Sequence, residues 1–287
     1  MSKAKFFADT TVVYYRLHSH SLLKEAVRAV VGTDLVALNN FVRGEYIRGY
    51  VSGLIELFTV IKAENSVTDG FHVFNGEANK RPRKIANALQ STTDWLAGIE
   101  DWQDVKKTQR RLGEYIRSTL MKFDAAFPAR TRDPLACEIG VMSFRQETYS
   151  EDQILEFYKD LDETRDDPAC DQCKFRAEQI AEIRAANIDL YGPAQQTKYK
   201  QNEGYVSQTT SIDKAVRSKR TEPSCWYCDR LGDTIIALSA PKGLTILTGD
   251  GQSFPALTAI LGKPLHLIPS LQKLREQRDA GKGDGAS

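Results

Sequence analysis

The stretch from Gly232 to Ile268 constrains the fold more than any other part of the chain. It reads as GDTIIALSAPKG, a helix closing at Gly243; LTILTGD, a short β-branched strand; SFPALTAILG, a second helix; and PLHLI, a second strand. Strands that alternate with helices imply a parallel sheet with helices packed on it. Two strands do not make such a sheet, so the missing ones must come from elsewhere. Residues 5–14, KFFADTTVVY, are short, apolar and β-branched, and they read as a buried strand at the other end of the chain. Ser21 then precedes an amphipathic helix that ends at Gly32, and Leu35, Val36 and Leu38 form a short apolar bridge. A long helical pattern follows from about residue 40 to residue 62. A sheet of three or four parallel strands needs both ends. Residues 1–62 and 223–278 are therefore expected to form one discontinuous α/β domain.

Residues 63–222 are then an insertion, expected to be mainly helical. Trp102, Val105, Leu112, Ile116, Leu120 and Phe123 recur at heptad-like spacing, which leaves Lys106, Arg110 and Arg117 off the apolar seam. Residues 193–220 show no strong period and read as a loop or flexible arm bearing Tyr199 and Tyr205. The Gly-rich tail, 279–287, is expected to be disordered.

The charge is uneven. The net charge of +1 excludes a uniformly basic nucleic-acid glove. Residues 106–122, however, carry six basic side chains against Glu114 alone, and residues 193–220 carry six against Glu203 and Asp213. Residues 147–167 carry nine acids against Lys159 and Arg165. Each run is also what a solvated face looks like. No apolar run approaches the ~20 residues that span a bilayer, and no secretory signal is visible. A cytoplasmic protein with no membrane association is expected.

The acids define the candidate chemistry. Asp250 follows a strand of the expected parallel sheet, at the carboxyl end where ligands bind. Asp9 interrupts an apolar segment, where a carboxylate is costly without a base, backbone donors or a metal to compensate it. A hard divalent cation such as Mg²⁺ prefers carboxylate oxygens and retains several waters. As isolated residues, Asp233 and Asp250 read equally well as helix-capping acids.

FFADTTVVYY resembles the first strand of the PIN-domain nucleases, and GDTIIALSAPKGLTILTGDGQSF resembles their C-terminal signature. GKPLHLI resembles their last strand, and Glu45, in NNFVRGEYIRGYV, matches the acid on their second helix, although Glu56 lies on the same helix. The resemblance covers about 60 residues at the start and about 50 at the end, and none of the middle. Thr11 stands where many relatives carry Asn or Ser. The resemblance implies a PIN-like three-layer α/β fold with a central parallel sheet. It further implies metal-dependent phosphodiester hydrolysis, with Asp9, Glu45, Asp233 and Asp250 around Mg²⁺ or Mn²⁺ and Thr248 positioning water or phosphate. It implies an endoribonuclease first. The alternatives are a structure-selective DNA nuclease and a non-catalytic nucleic-acid- or protein-binding module. Asp229, one helical turn before Asp233, faces either the same cleft or the neighbouring cysteines. A regulatory protein partner is compatible with the long insertion.

Of five cysteines, four form two CxxC pairs, Cys170/Cys173 and Cys225/Cys228. Four thiolates suit one tetrahedral Zn²⁺. A shared structural zinc would staple the insertion to the core; a redox pair and unpaired thiols are the other readings. Cys137 reads as a small buried hydrophobe.

Overall fold

The computed structural model describes residues 4–19, 21–78, 83–130, 190, 192–217 and 225–283. These fall into two compact units. One comprises the described residues up to Arg43, Phe127–Arg130 and those from 190 onward; the other is Gly44–Ala126.

The first unit is an α/β fold around a five-stranded parallel sheet of order β3-β2-β1-β4-β5. β1 (Phe6–Ala8) lies at its centre, between β2 (Val36–Leu38) and β4 (Thr245–Thr248), with β3 (Ala129–Arg130) and β5 (Leu265–Leu267) at the edges. The sheet thus takes its central strands from chain segments more than 200 residues apart. Phe7, Ala8, Leu38, Ile246 and Leu247 are fully buried, as expected of strands covered on both faces.

The segment 5–14 is not one strand. Pairing stops at Ala8, and Thr10–Leu17 form α1. Asp9 makes the change. Its backbone is extended and its Oδ1 accepts the Val12 N–H at 3.0 Å, so it caps the helix. This cap outweighs the β-propensity of Thr10–Val13, because in the helix Val12, Val13 and Tyr14 all reach the core. α2 (Ser21–Val31) follows and buries Leu23, Val27 and Val31, one residue per turn.

Residues 193–217 are helical rather than an arm. α8 (Pro193–Lys198) is short, and α9 (Glu203–Arg217) begins where Asn202 Oδ1 accepts the Tyr205 N–H at 2.8 Å. Among its described side chains, Tyr205, Gln208, Thr209 and Ser211 are buried. Three of these four are polar, so hydrophobic periodicity does not mark them. Partners make the burial possible: Thr234 Oγ1 donates to Gln208 Oε1 at 2.8 Å, and Tyr205 Oη donates to the Leu190 carbonyl at 2.6 Å.

The last helices complete the unit. α10 (Cys225–Ser239) begins before the helix expected from Gly232, and it ends where Lys263 Nζ donates to the carbonyls of Ala237, Leu238 and Ala240. α11 (Phe254–Leu261) joins β4 to β5, and α12 (Leu271–Gly283) is the last described element, so residues 279–283 of the tail expected to be disordered are helical.

The second unit is all-helical. α3 (Asn40–Tyr46) crosses its boundary and passes through a π-helical turn (Ile47–Val51) into α4 (Ser52–Glu64). α5 (Val67–Ala78), α6 (Arg83–Ala97) and α7 (Val105–Ala126) follow. The expected seam of α7 is present, with Leu112, Ile116, Leu120 and Phe123 buried. Phe123 stacks on Tyr46 at 4.8 Å, and the Tyr50 hydroxyl bonds Thr92 at 2.8 Å and Tyr115 at 3.1 Å. Lys106 and Arg110 are exposed, and Arg110 pairs with Glu114. Among the described residues, no helix is long and apolar enough to cross a membrane.

Candidate functional site

β1 and β4 end side by side, with Ala8 opposite Leu247. Asp9, the residue after β1, and Thr248, the last residue of β4, emerge together at the carboxyl edge of the sheet. The strand order makes this a switch point: β2 and β3 build outward on one side of β1, β4 and β5 on the other. In open parallel sheets the crevice beyond the carboxyl ends at such a point is where ligands bind. α1 starts here, and its positive N-terminal end favours negative charge.

A chain of hydrogen bonds joins the acids. Thr248 Oγ1 donates to Asp9 Oδ2 at 2.6 Å, linking residues 239 positions apart. The Asp250 N–H donates to Thr248 Oγ1 at 2.9 Å, and the Gln252 N–H donates to Asp250 Oδ1 at 2.6 Å. Because the Thr248 oxygen accepts from a backbone N–H, its single proton is directed to Asp9. Asp9 therefore receives donors on both oxygens, Val12 N–H on one and Thr248 on the other. It is only 3% exposed and Thr248 is fully buried. Both oxygens of this enclosed carboxylate are thus satisfied inside the protein. Asp250 is half-buried, on the solvent side of the same network.

Two further residues belong to this edge and are not evident from motif spacing. Tyr15, on α1, leans back over Gly249. A β-carbon on Gly249 would stand 2.7 Å from both Cζ and Oη of Tyr15 and closer still to Cε2. The ring thus rests on the backbone that joins Thr248 to Asp250. Burial, then the charge of Asp9, then that of Asp250 raise its pKa, so the phenol keeps its proton. The sequence signal is Gly249 itself: a glycine between two site residues permits a close approach. Asn39, the first residue after β2, is fully buried; its Oδ1 accepts the Val42 N–H at 2.9 Å, and its Nδ2 has no partner among the described residues.

The other predicted residues are placed as follows. Asp233 lies two turns inside α10 and half-buried, so it caps no helix start. Asp250 does not cap α11 either, since Ser253 holds that position. Glu45 lies in α3 just before the π-helical turn, half-buried, in the second unit. Among the described residues, no group of three or more His, Cys, Asp or Glu side chains that could hold a metal ion is found. Asp9 and Asp250 are brought together as a pair. Cys170 and Cys173 lie outside the described residues, and Cys225 and Cys228 lie in the first turn of α10, their side chains outside the description. Tyr205, expected on a flexible arm, is instead 1% exposed and bonded inward, so it offers no ring face to solvent. Tyr199 packs against it at 5.4 Å.

The donor chemistry of the pair suits a hard cation. Mg²⁺ is commonly bound through one or two carboxylates, with water and substrate phosphate completing the shell, so a preformed cage of three acids is not required. Comparison with protein-family models, with curated proteins and with solved structures finds no match.

Proposed function

We propose that this chain is a divalent-metal-dependent nuclease with a PIN-like three-layer fold, most readily an endoribonuclease. One observation carries the reading: Asp9, Thr248 and Asp250 converge, through short hydrogen bonds, at the switch point of a parallel sheet. The same strand order occurs in dinucleotide-binding sheets, but there the β1–α1 turn is glycine-rich to admit a pyrophosphate. Here that turn is Ala-Asp-Thr-Thr, whose carboxylate repels a bare phosphate and attracts a cation.

Asp9 and Asp250 would hold Mg²⁺ or Mn²⁺, with Asp233 completing the shell directly or through water. Bound there, a divalent cation supplies charge neutralisation at the phosphate and a more acidic water. The protein's own residues do the rest. Thr248 fixes the rotamer of Asp9 and ties it to the loop of Asp250, so both carboxylates are oriented before substrate arrives. The exposed bases of α7 would contact the phosphate backbone of the nucleic acid.

Thermal melts with and without Mn²⁺ test the site. In the parent, Mn²⁺ should raise the melting temperature, because a ligand bound only to the folded state stabilises it. Asp250→Asn keeps the acceptor for the Gln252 N–H, so it should leave the metal-free melt unchanged or slightly higher. It should abolish cleavage of RNA and most of the Mn²⁺ response. A parent with no metal response and no cleavage of RNA or DNA refutes the proposal.

A further inference from the structure

The geometry points to Tyr15 as a substrate-contacting residue whose neutral hydroxyl donates a hydrogen bond to an oxygen of the phosphate at the Asp9–Asp250 edge; this rests on the nuclease reading above. The ring is anchored on the backbone of Gly249, with the hydroxyl end over the peptide between Thr248 and Asp250. Those two residues carry the bonded network that leads to Asp9. Tyr15 is half-buried rather than enclosed in the core.

The local inventory makes this donor distinctive. The carboxylates of Asp9 and Asp250 accept but do not donate when ionised, and the one hydroxyl proton of Thr248 is committed to Asp9. A phosphate brought to this edge by a cation still has oxygens that need donors. Among Asp9, Thr248, Asp250 and Tyr15, the phenol is the group with an O–H to offer. It also avoids the cost of placing a lysine beside two acids, which would pair with them instead of with substrate. A phenol, neutral near pH 7 with an ordinary pKa of about 10, donates without competing for the carboxylates' charge. The ring's contact with Gly249 holds the hydroxyl in place before the phosphate binds, which limits the entropy lost on binding.

The test uses the full chain and Tyr15→Phe, which preserves the ring and its packing on Gly249. A non-cleavable probe, a nucleoside 5′-monophosphate, is titrated by calorimetry in Mn²⁺. Tyr15→Phe should bind it roughly 10- to 100-fold more weakly, as for a lost hydrogen bond to a charged group. The Mn²⁺-induced rise in melting temperature should match the parent, because the acid pair is untouched. Cleavage of an oligoribonucleotide should fall by a similar factor. A single sulfur in place of a non-bridging oxygen at the scissile phosphate should slow the parent in Mn²⁺ more than it slows the variant. Equal monophosphate affinity in parent and variant overturns the assignment while leaving the nuclease reading intact. So does a slower variant with an unchanged sulfur effect. A parent that shows neither a Mn²⁺ response nor cleavage removes the nuclease reading, and the role of Tyr15 with it.

Discussion

Replacing Thr248 with valine probes the centre of the site most directly. The two side chains have nearly the same shape, so the change removes one oxygen without opening a cavity. That oxygen serves two partners. It donates to Asp9 Oδ2 at 2.6 Å and accepts from the Asp250 N–H at 2.9 Å. A hydrogen bond to a charged group contributes about 1.5–3 kcal/mol, and leaving a buried group unsatisfied costs about 1–3 kcal/mol. Asp9 is 3% exposed and has little recourse to water, whereas Asp250 is half-buried and its N–H can be hydrated. The first loss therefore dominates, and a total near 2–4 kcal/mol is expected. For a chain of this size that corresponds to roughly 5–10 °C in melting temperature. Thr248→Ser is the control: it keeps the oxygen and loses a methyl, which should cost about 0.5–1.5 kcal/mol. Urea denaturation of the three proteins at pH 7 without metal measures both values. If Thr248→Val is no less stable than Thr248→Ser, the hydroxyl does not organise the acids, and the argument for a preorganised site fails.

Three further outcomes follow from the same structure. Gly249→Ala should drive a methyl into the Tyr15 ring and destabilise by about 1–3 kcal/mol, and combining it with Tyr15→Ala should cost less than the sum of the two changes, measured by urea melts as a double-mutant cycle. The Tyr205 phenol, raised in pKa chiefly by burial, holds its proton in the folded state after the unfolded chain has released it near pH 10. Stability should therefore be complete below about pH 10 and fall as pH rises toward the folded value, with a shallower fall in Tyr205→Phe; identical slopes between pH 9 and 11.5 would remove this account. Lys263→Met should lose three bonds to the end of α10 and about 1–3 kcal/mol, and a stability equal to the parent in denaturant titration would show that water caps that helix equally well.

Much of the architecture was legible in the residues. The alternation of LTILTGD, SFPALTAILG and PLHLI required a parallel sheet, and the shortage of strands at either end required the two ends to share it. The seam of α7 could be read directly because its period is carried by aliphatic side chains. What could not be read depended on partners distant in sequence. The strand of residues 5–14 ends at Ala8 because Asp9 caps α1, and the helix buries Val12, Val13 and Tyr14 in the core. Helix α9 is hard to read because three of its four described buried side chains are polar, and the bonds that Gln208 and Tyr205 make to Thr234 and Leu190 come from outside the helix. Sequence marked Asp9, Thr248 and Asp250 as members of a site, from residue type and motif. Tertiary structure alone decided that Thr248 gives its proton to Asp9 and that Tyr15 rests on Gly249. Those facts follow from strand register and close packing, which bring together atoms that no local pattern relates.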